Sequence, residues 1–207
     1  MTARLRIVVL AAGGCVLLWG LAVVRAQGQE APVTLRQARI TIAGTSNIHD
    51  YTASTTDVRI VRLETAGVLS GPDALSALLA PGALKAFEVA IPAASLSSPR
   101  EGLDKNMHKA LKAKDHPEIV FRLVRLEPAE AAGAFRAAGR LTVAGVEREV
   151  MLELTIERQE SALVVRGGTR LLMTDFGIAP PRAMLGLLRT DPKVTVRFEL
   201  VLGAPLT

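Results

Sequence analysis

The chain is poor in the residues that carry sulfur and aromatic chemistry. It has one cysteine, Cys15, and one tryptophan, Trp19, and both fall within a leading apolar run. Past that run no cysteine remains, which excludes disulfides, thiolate metal sites and cysteine nucleophiles from the rest of the chain. Aromatic residues are only 3% of the sequence, with a single tyrosine, Tyr51, and five phenylalanines. The excess of positive over negative charge is also small. The formal net charge of +5 falls to about +2 once Arg4, Arg6 and Arg25 of the leading segment are set aside. A nucleic-acid reader needs a basic face and usually stacking aromatics, and neither is present, so no nucleic-acid partner is expected.

The leading segment reads as a targeting signal. Arg4 and Arg6 form a basic start, Ile7 to Val24 is almost wholly apolar, and Val24-Arg25-Ala26 supplies the small or apolar residues a signal peptidase reads. Cleavage is expected after Ala26. The apolar run is at the short edge of a membrane span, so an uncleaved anchor is the alternative and the expected route to any membrane contact. Cys15 after Gly13-Gly14 resembles a lipoprotein site only weakly, because the apolar run continues past it. The expected organisation is a signal peptide over 1–26, a tether over 27–32 and one domain over 33–207, long enough for a substantial core.

The domain alternates at period two, the mark of strands with one wet face. Strands are expected over Val33–Ala43, Thr52–Glu64, Leu84–Ile91, Glu118–Glu127, Ala134–Val143, Val146–Arg158, Ser161–Thr174 and Lys193–Leu202. In the sixth, Val150, Leu152, Leu154 and Ile156 face one way and Glu147, Glu149, Glu153 and Glu157 the other; Arg148 breaks the pattern. Ser70-Gly71-Pro72 reads as a helix start before Leu75, Leu78 and Leu79. A second helical turn is expected at Ala183 to Leu187. Leu103, Met107 and Leu111 recur at i, i+4 and i+8 on one helical face, with Lys105, Lys109 and Lys112 off it. His116-Pro117 then ends that helix. No helix is long enough for a parallel crossover. The fold class is therefore all-β: an eight-stranded antiparallel barrel covered by one or two short helices, with an open two-sheet sandwich as the alternative.

The search for chemistry returns little. His49, His108 and His116 could be metal ligands, but their spacing matches no metal motif, and each more plainly satisfies loop backbone. Asp104 suits the first turn of a helix, and Asp175 suits a turn. Ser95, Ser97 and Ser98 lack a G-x-S-x-G setting, and Gly44-Thr45-Ser46 does not continue as a P-loop. Gly167-Gly168 reads as a bend or bulge. Nothing assembles a nucleophile, a base and an orienting group, so no enzyme, metal or cofactor is expected. An apolar interior remains, with Met107, Phe121, Met173 and Phe198 among its linings. Pattern alone leaves open whether side chains fill it or a ligand occupies it.

Four blocks of sequence carry a resemblance. They are Gly44-Thr45-Ser46-Asn47-Ile48-His49-Asp50-Tyr51, Leu103-Asp104-Lys105-Asn106-Met107 with Ala110-Leu111-Lys112 and His116-Pro117-Glu118-Ile119-Val120-Phe121, Gly139-Arg140-Leu141-Thr142-Val143-Ala144-Gly145-Val146, and Met173-Thr174-Asp175-Phe176-Gly177-Ile178 with Pro180-Pro181. In this order they resemble the G-T-S-x-x-H-D-W, L-D-x-N-M, G-x-L-T-I-x-G-V and M-x-D-F-x-I-x-P-P blocks of YceI-like proteins. Tyr51 stands where the family usually has tryptophan. The resemblance implies a lipocalin-like barrel, a periplasmic or secreted location and, as in some members, a long polyisoprenoid or fatty amphiphile inside. The expected lining of such a ligand is Ile42, Met107, Leu111, Phe121, Leu152, Leu154, Ile156, Met173, Phe176, Val196, Phe198 and Leu200. Its polar head would lie near the helix, within reach of Lys105 and Lys109. The bound isoprenoid or fatty acid would be the partner, with homodimerisation left open. A ligand-free structural or stress-related protein is the alternative, and a histidine-based metal-dependent activity comes after it.

Overall fold

The structure is a computed structural model, and it describes residues 33–67, 74–183 and 188–203. The expected signal and tether, the helix start at Ser70-Gly71-Pro72 and residues 184–187 lie outside the described residues. Among the described residues no helix is long and apolar enough to cross a membrane.

One curled antiparallel sheet makes up most of the molecule. Its strands are β1 (Thr34–Ser46), β2 (Asp50–Thr55), β3 (Arg59–Thr65), β4 (Leu84–Pro92), β5 (Glu118–Pro128), β6 (Ala134–Val143), β7 (Val146–Gln159), β8 (Ala162–Leu172), the two-residue β9 (Arg182–Ala183) and β10 (Leu188–Gly203). Their spatial order is β2-β1-β10-β8-β7-β6-β5-β4-β3, with β9 pairing only with β10. Helix α1 (Ala74–Ala77) joins β3 to β4, and α2 (Glu101–Ala110) precedes β5.

The barrel expectation holds, and the count of eight strands does not. The expected strand over Thr52–Glu64 breaks at Thr56-Asp57-Val58 into β2 and β3. β2 pairs with β1, and β3 with β4. One run of chain thus supplies both terminal strands of the sheet and joins them covalently, although β2 and β3 do not pair with each other. The break is stabilised by Thr55, a buried polar residue. Its Oγ1 lies 2.8 Å from Ser95 Oγ and accepts from the Asp57 N–H at 3.0 Å. The loop after β4 extends the closure. Ser54 and Ser97 exchange backbone hydrogen bonds of 2.8 and 3.0 Å. The phase of burial changes at this corner, from Ala53 and Thr55 to Val58 and Ile60, across the exposed pair Thr56-Asp57.

The other differences are local. β10 begins at Leu188, five residues before the expected start, because Thr190 pairs with Ser46 across a register shift that accommodates Pro192. Ala183, expected to open a helical turn, is in β9 opposite Leu188. Gly167-Gly168 keeps continuous register with both neighbouring strands, so it is no bulge. It is a place of close approach: a Cβ on Gly167 would stand 2.7 Å from Leu154 and 2.9 Å from Phe198.

Register defines two ends of the barrel. The Thr34↔Gly203 and Gln159↔Ala162 pairs mark one, here called lower. The turn between β1 and β2, the Ala144-Gly145 turn and the β8–β10 connection mark the other, upper end. The lower end is closed by α1. Leu75 and Leu78 pack with Val33, Ile156, Leu163 and Leu202 in one buried cluster. α2 lies at the upper end, where Met107 and Ala110 pack against a larger cluster that includes Leu96, Leu111, Ile119 and Phe176. The outer wall is charged. Arg122 bridges Glu88 at 3.0 Å and Glu147 at 3.3 Å, and Arg166 bridges Glu199 at 2.6 Å and Glu157 at 3.1 Å.

Candidate functional site

Inward-facing residues of the curled sheet surround a cavity of ≈ 530 Å³, within the range of small-molecule sites. The interior is therefore not filled by side chains. Its middle is aliphatic, because the inward positions of facing strands are aliphatic: Leu152 and Leu154 from β7, Val165 from β8, and Val196 and Leu200 from β10. Two inward glycines widen it. The Phe198 ring lies over its cross-strand partner Gly167, and the Phe121 ring lies over Gly139. A Cβ at either glycine would overlap the ring, so these glycines let two aromatic rings lie flat in the wall.

All twelve expected residues line this cavity. Ile42, Phe121, Leu152, Leu154, Ile156, Val196, Phe198 and Leu200 reach it from strands. Met107 and Leu111 reach it from α2 and its C-terminus, and Met173 and Phe176 from the helical turn after β8. Their order along the barrel follows from register. Ile156 is at the lower plug, Leu154 and Phe198 are in the middle, and Met107 and Met173 are at the upper mouth.

The strand pattern missed several lining residues, and bulges explain two. Leu123 and Leu126 both face the cavity although their spacing is odd, because the register of β5 shifts between Leu123 and Arg125. The same happens between Ile60 and Arg62 in β3, which turns Leu63 inward. Each bulge turns a valine to solvent: Val124 is 65% exposed and Val61 51%. An extra residue flips every later side chain to the other face. The visible signal was an apolar residue out of phase.

Polar groups collect at the upper mouth. Ser46, His49 and Tyr51 come from the β1–β2 turn, Thr190 from β10, Thr169 from β8, and Arg100 and Asn106 from the start and middle of α2. The turn is built by Ser46. Its Oγ donates to the His49 carbonyl at 2.7 Å and accepts from the His49 N–H at 3.1 Å. Asn47 then ties the turn to β10, its Oδ1 accepting from the Arg189 N–H at 2.7 Å. The Tyr51 ring lies against Gly44, its partner in the ladder. Burial pushes the Tyr51 phenol above its ordinary pKa, with the negative charge of Asp191 adding to the effect.

The histidines are held locally. His49 Nδ1 is 3.3 Å from Ser46 Oγ, but that hydroxyl proton is committed to the His49 carbonyl. His108 Nε2 donates to the Leu96 carbonyl at 2.7 Å, and the His116 ring packs on Gly145. Among the described residues, no group of three or more metal-ligating side chains is placed to hold an ion. Asp104 lies in the first turn of α2, as expected, and its Oδ1 accepts from the Ser98 N–H at 2.7 Å, which holds the preceding loop. Lys105 and Lys109 are exposed and do not line the cavity; among the described side chains the cation lining its mouth is Arg100.

The fold resembles that of Burkholderia cenocepacia BcnA, with a TM-score of 0.62 at 14% identity over 79% of this chain and 95% of that one. A polyisoprenoid binding domain from Saccharophagus degradans, implicated in plant cell wall breakdown, matches with a TM-score of 0.58 at 12% identity over 85% of this chain and 100% of that one. The Campylobacter jejuni YCEI protein matches at 0.51 and 16% identity over 72% of this chain and 85% of that one. At these identities the likeness is one of fold. No curated protein matches the chain. The YceI-like domain model matches residues 47–202, which is most of the barrel from the β1–β2 turn to the end of β10, and the chain belongs to the YceI-like family.

Proposed function

We propose that this protein is a carrier that holds a long apolar amphiphile, a polyisoprenoid or fatty lipid, tail downward inside the barrel, without catalysis. The observation that carries the reading is the polarity gradient of the ≈ 530 Å³ cavity: aliphatic from the α1 plug upward, polar at the α2 mouth. Such a gradient suits a molecule with one apolar and one polar end. The energetics are adequate. Burying about ten methylenes contributes roughly 8 kcal/mol, comparable with the roughly 4–15 kcal/mol that association costs. Further support comes from the Saccharophagus degradans neighbour, a polyisoprenoid binding domain of the same fold. Arg100 and Asn106, with Ser46, His49, Tyr51 and Thr190, would meet the head group. The basic start, apolar run and small residues before Gln27 support a periplasmic or secreted site of action.

The test is extraction. Mass spectrometry of an organic extract of purified protein should show an isoprenoid or fatty species. Delipidated protein should take up a polyisoprenyl phosphate or a long-chain fatty acid. An empty extract, together with no uptake of either probe, would rule the carrier reading out.

A further inference from the structure

The ladder between β4 and β5 is incomplete. It runs from Pro92↔Glu118 to Glu88↔Arg122 and stops there. Below that level β4 continues to Leu84 beside β3, and β5 continues to Pro128 beside β6. Both strands are bulged just past the stop, β4 at Lys85 and β5 at Val124, and bulges bend strands. Continuing the register would pair Phe87 with Leu123 and Ala86 with Val124, but no such pair forms. A cleft of ≈ 110 Å³ lies at this level, lined by Lys85, Ala86 and Phe87 on one side and Leu123, Val124 and Arg125 on the other. Leu84, Phe87, Leu123 and Leu126 line both this cleft and the main cavity. The wall here is therefore a single layer of side chains, with no ladder hydrogen bonds across it. Rotamer changes at Phe87 and Leu123 would connect cleft and cavity without breaking a backbone pair.

The position of the cleft matters because the lower end is closed. A chain descending the barrel meets the plug of Leu75, Leu78, Leu163 and Leu202. At about 30 Å³ per methylene-sized group, taking the share of a water molecule in the liquid as the guide, the cavity holds on the order of eighteen such groups. A longer chain needs another way out. We propose that the β4–β5 cleft is a lateral outlet, through which the far end of an apolar chain too long for the closed cavity leaves the barrel. The proposal rests on the carrier reading and adds to it a rule for chain length: length is limited by the outlet and not by the plug.

The probes are two saturated fatty acids, about 14 and about 26 carbons long, on either side of the roughly eighteen-group capacity. Wild-type protein should bind both. Ala86→Trp, which fills the cleft from its own lining, should leave the shorter acid bound as before and weaken the longer one at least tenfold. The double variant Ala86→Cys, Val124→Cys adds a reversible control, since no other cysteine lies between Gln27 and Thr207. Oxidised, it should lose the longer acid selectively; reduced, it should regain it. Equal binding of the longer acid by wild type, by Ala86→Trp and by the variant in both redox states would overturn the outlet while leaving the carrier reading intact. Binding of the shorter acid alone by wild type would do the same. Failure of wild type to bind either acid would overturn the outlet, and the carrier reading then stands or falls on the organic extract and on polyisoprenyl phosphate uptake.

Discussion

The two ends of the barrel are built from the same kinds of strand, yet they differ in what they bury. The lower end buries only apolar groups: α1 and the turn after it insert Leu75 and Leu78 between the strand ends, and they meet Ile156, Leu163 and Leu202. The upper end combines an apolar cluster with hydrogen-bonded loops. Ser46 organises the β1–β2 turn, His108 holds the Leu96 carbonyl, and Asp104 holds the Ser98 amide. A dry plug needs no directional bonds and is indifferent to what lies above it. A polar mouth must satisfy each donor and acceptor, and it leaves groups that can address a head group. On the carrier reading, the difference gives stability to one end and selectivity to the other.

That assignment can be broken most directly at the plug. Leu163 is 2% exposed, and Leu163→Ala should cost about 2–5 kcal/mol of folding stability, read as a lower urea midpoint, while the folded fraction still binds amphiphile. Loss of binding without loss of stability would contradict the division. The middle of the barrel should behave in the opposite way. Leu154→Trp fills the cavity beside Gly167 and should weaken amphiphile binding at least tenfold, about 1.4 kcal/mol, as measured by displacement of a fluorescent fatty acid. At the mouth the effect should be smaller and selective. Arg100→Ala should weaken an anionic amphiphile by less than about 1 kcal/mol and leave the corresponding alcohol unchanged; an equal loss for both would remove Arg100 from head-group recognition.

The last two effects are the smallest. Burial raises the Tyr51 phenol above its ordinary value of 10.0, and the charge of Asp191 adds to this. Folding therefore favours the protonated form. Its contribution is fully present below the unfolded pKa and is lost as pH rises through the folded one. Tyr51→Phe should flatten the fall in stability above about pH 10 and leave neutral pH unaffected. Arg122→Ala, on the outer wall between Glu88 and Glu147, should cost no more than about 1 kcal/mol and less at high salt. An effect as large as that at Leu163 would mean that the charged wall, rather than the plug, holds the barrel together.

The cavity was more legible in the sequence than its mouth. Alternation in Val146–Arg158, broken at Arg148, and in Lys193–Leu202 assigns inward positions one by one, since the side-chain period of a strand is two. Long uninterrupted ladders then bring Leu154, Gly167 and Phe198 into one layer. The helix residues Met107 and Leu111 were legible for the same reason, at the helical period. The mouth was not. Tyr51, Arg100, Thr169 and Thr190 come from four separate segments, and no local pattern links them. The lysines of α2 are more conspicuous in sequence than Arg100, but helix geometry turns them outward.

Local chemistry alone therefore determined a cysteine-poor chain of short antiparallel strands with an apolar interior and one amphipathic helix, because period and propensity are properties of neighbouring residues. Tertiary structure decided what depends on distant partners. It split the second strand between the two edges of the sheet and left β4 and β5 unzipped below Glu88 and Arg122. It also shifted the inward face at the two valine bulges and kept the interior open. Whether facing side chains meet across a barrel depends on how sharply the sheet curls. Here inward glycines at 139 and 167 and the corner at Thr56-Asp57-Val58 accompany that curl, and no single strand carries its value.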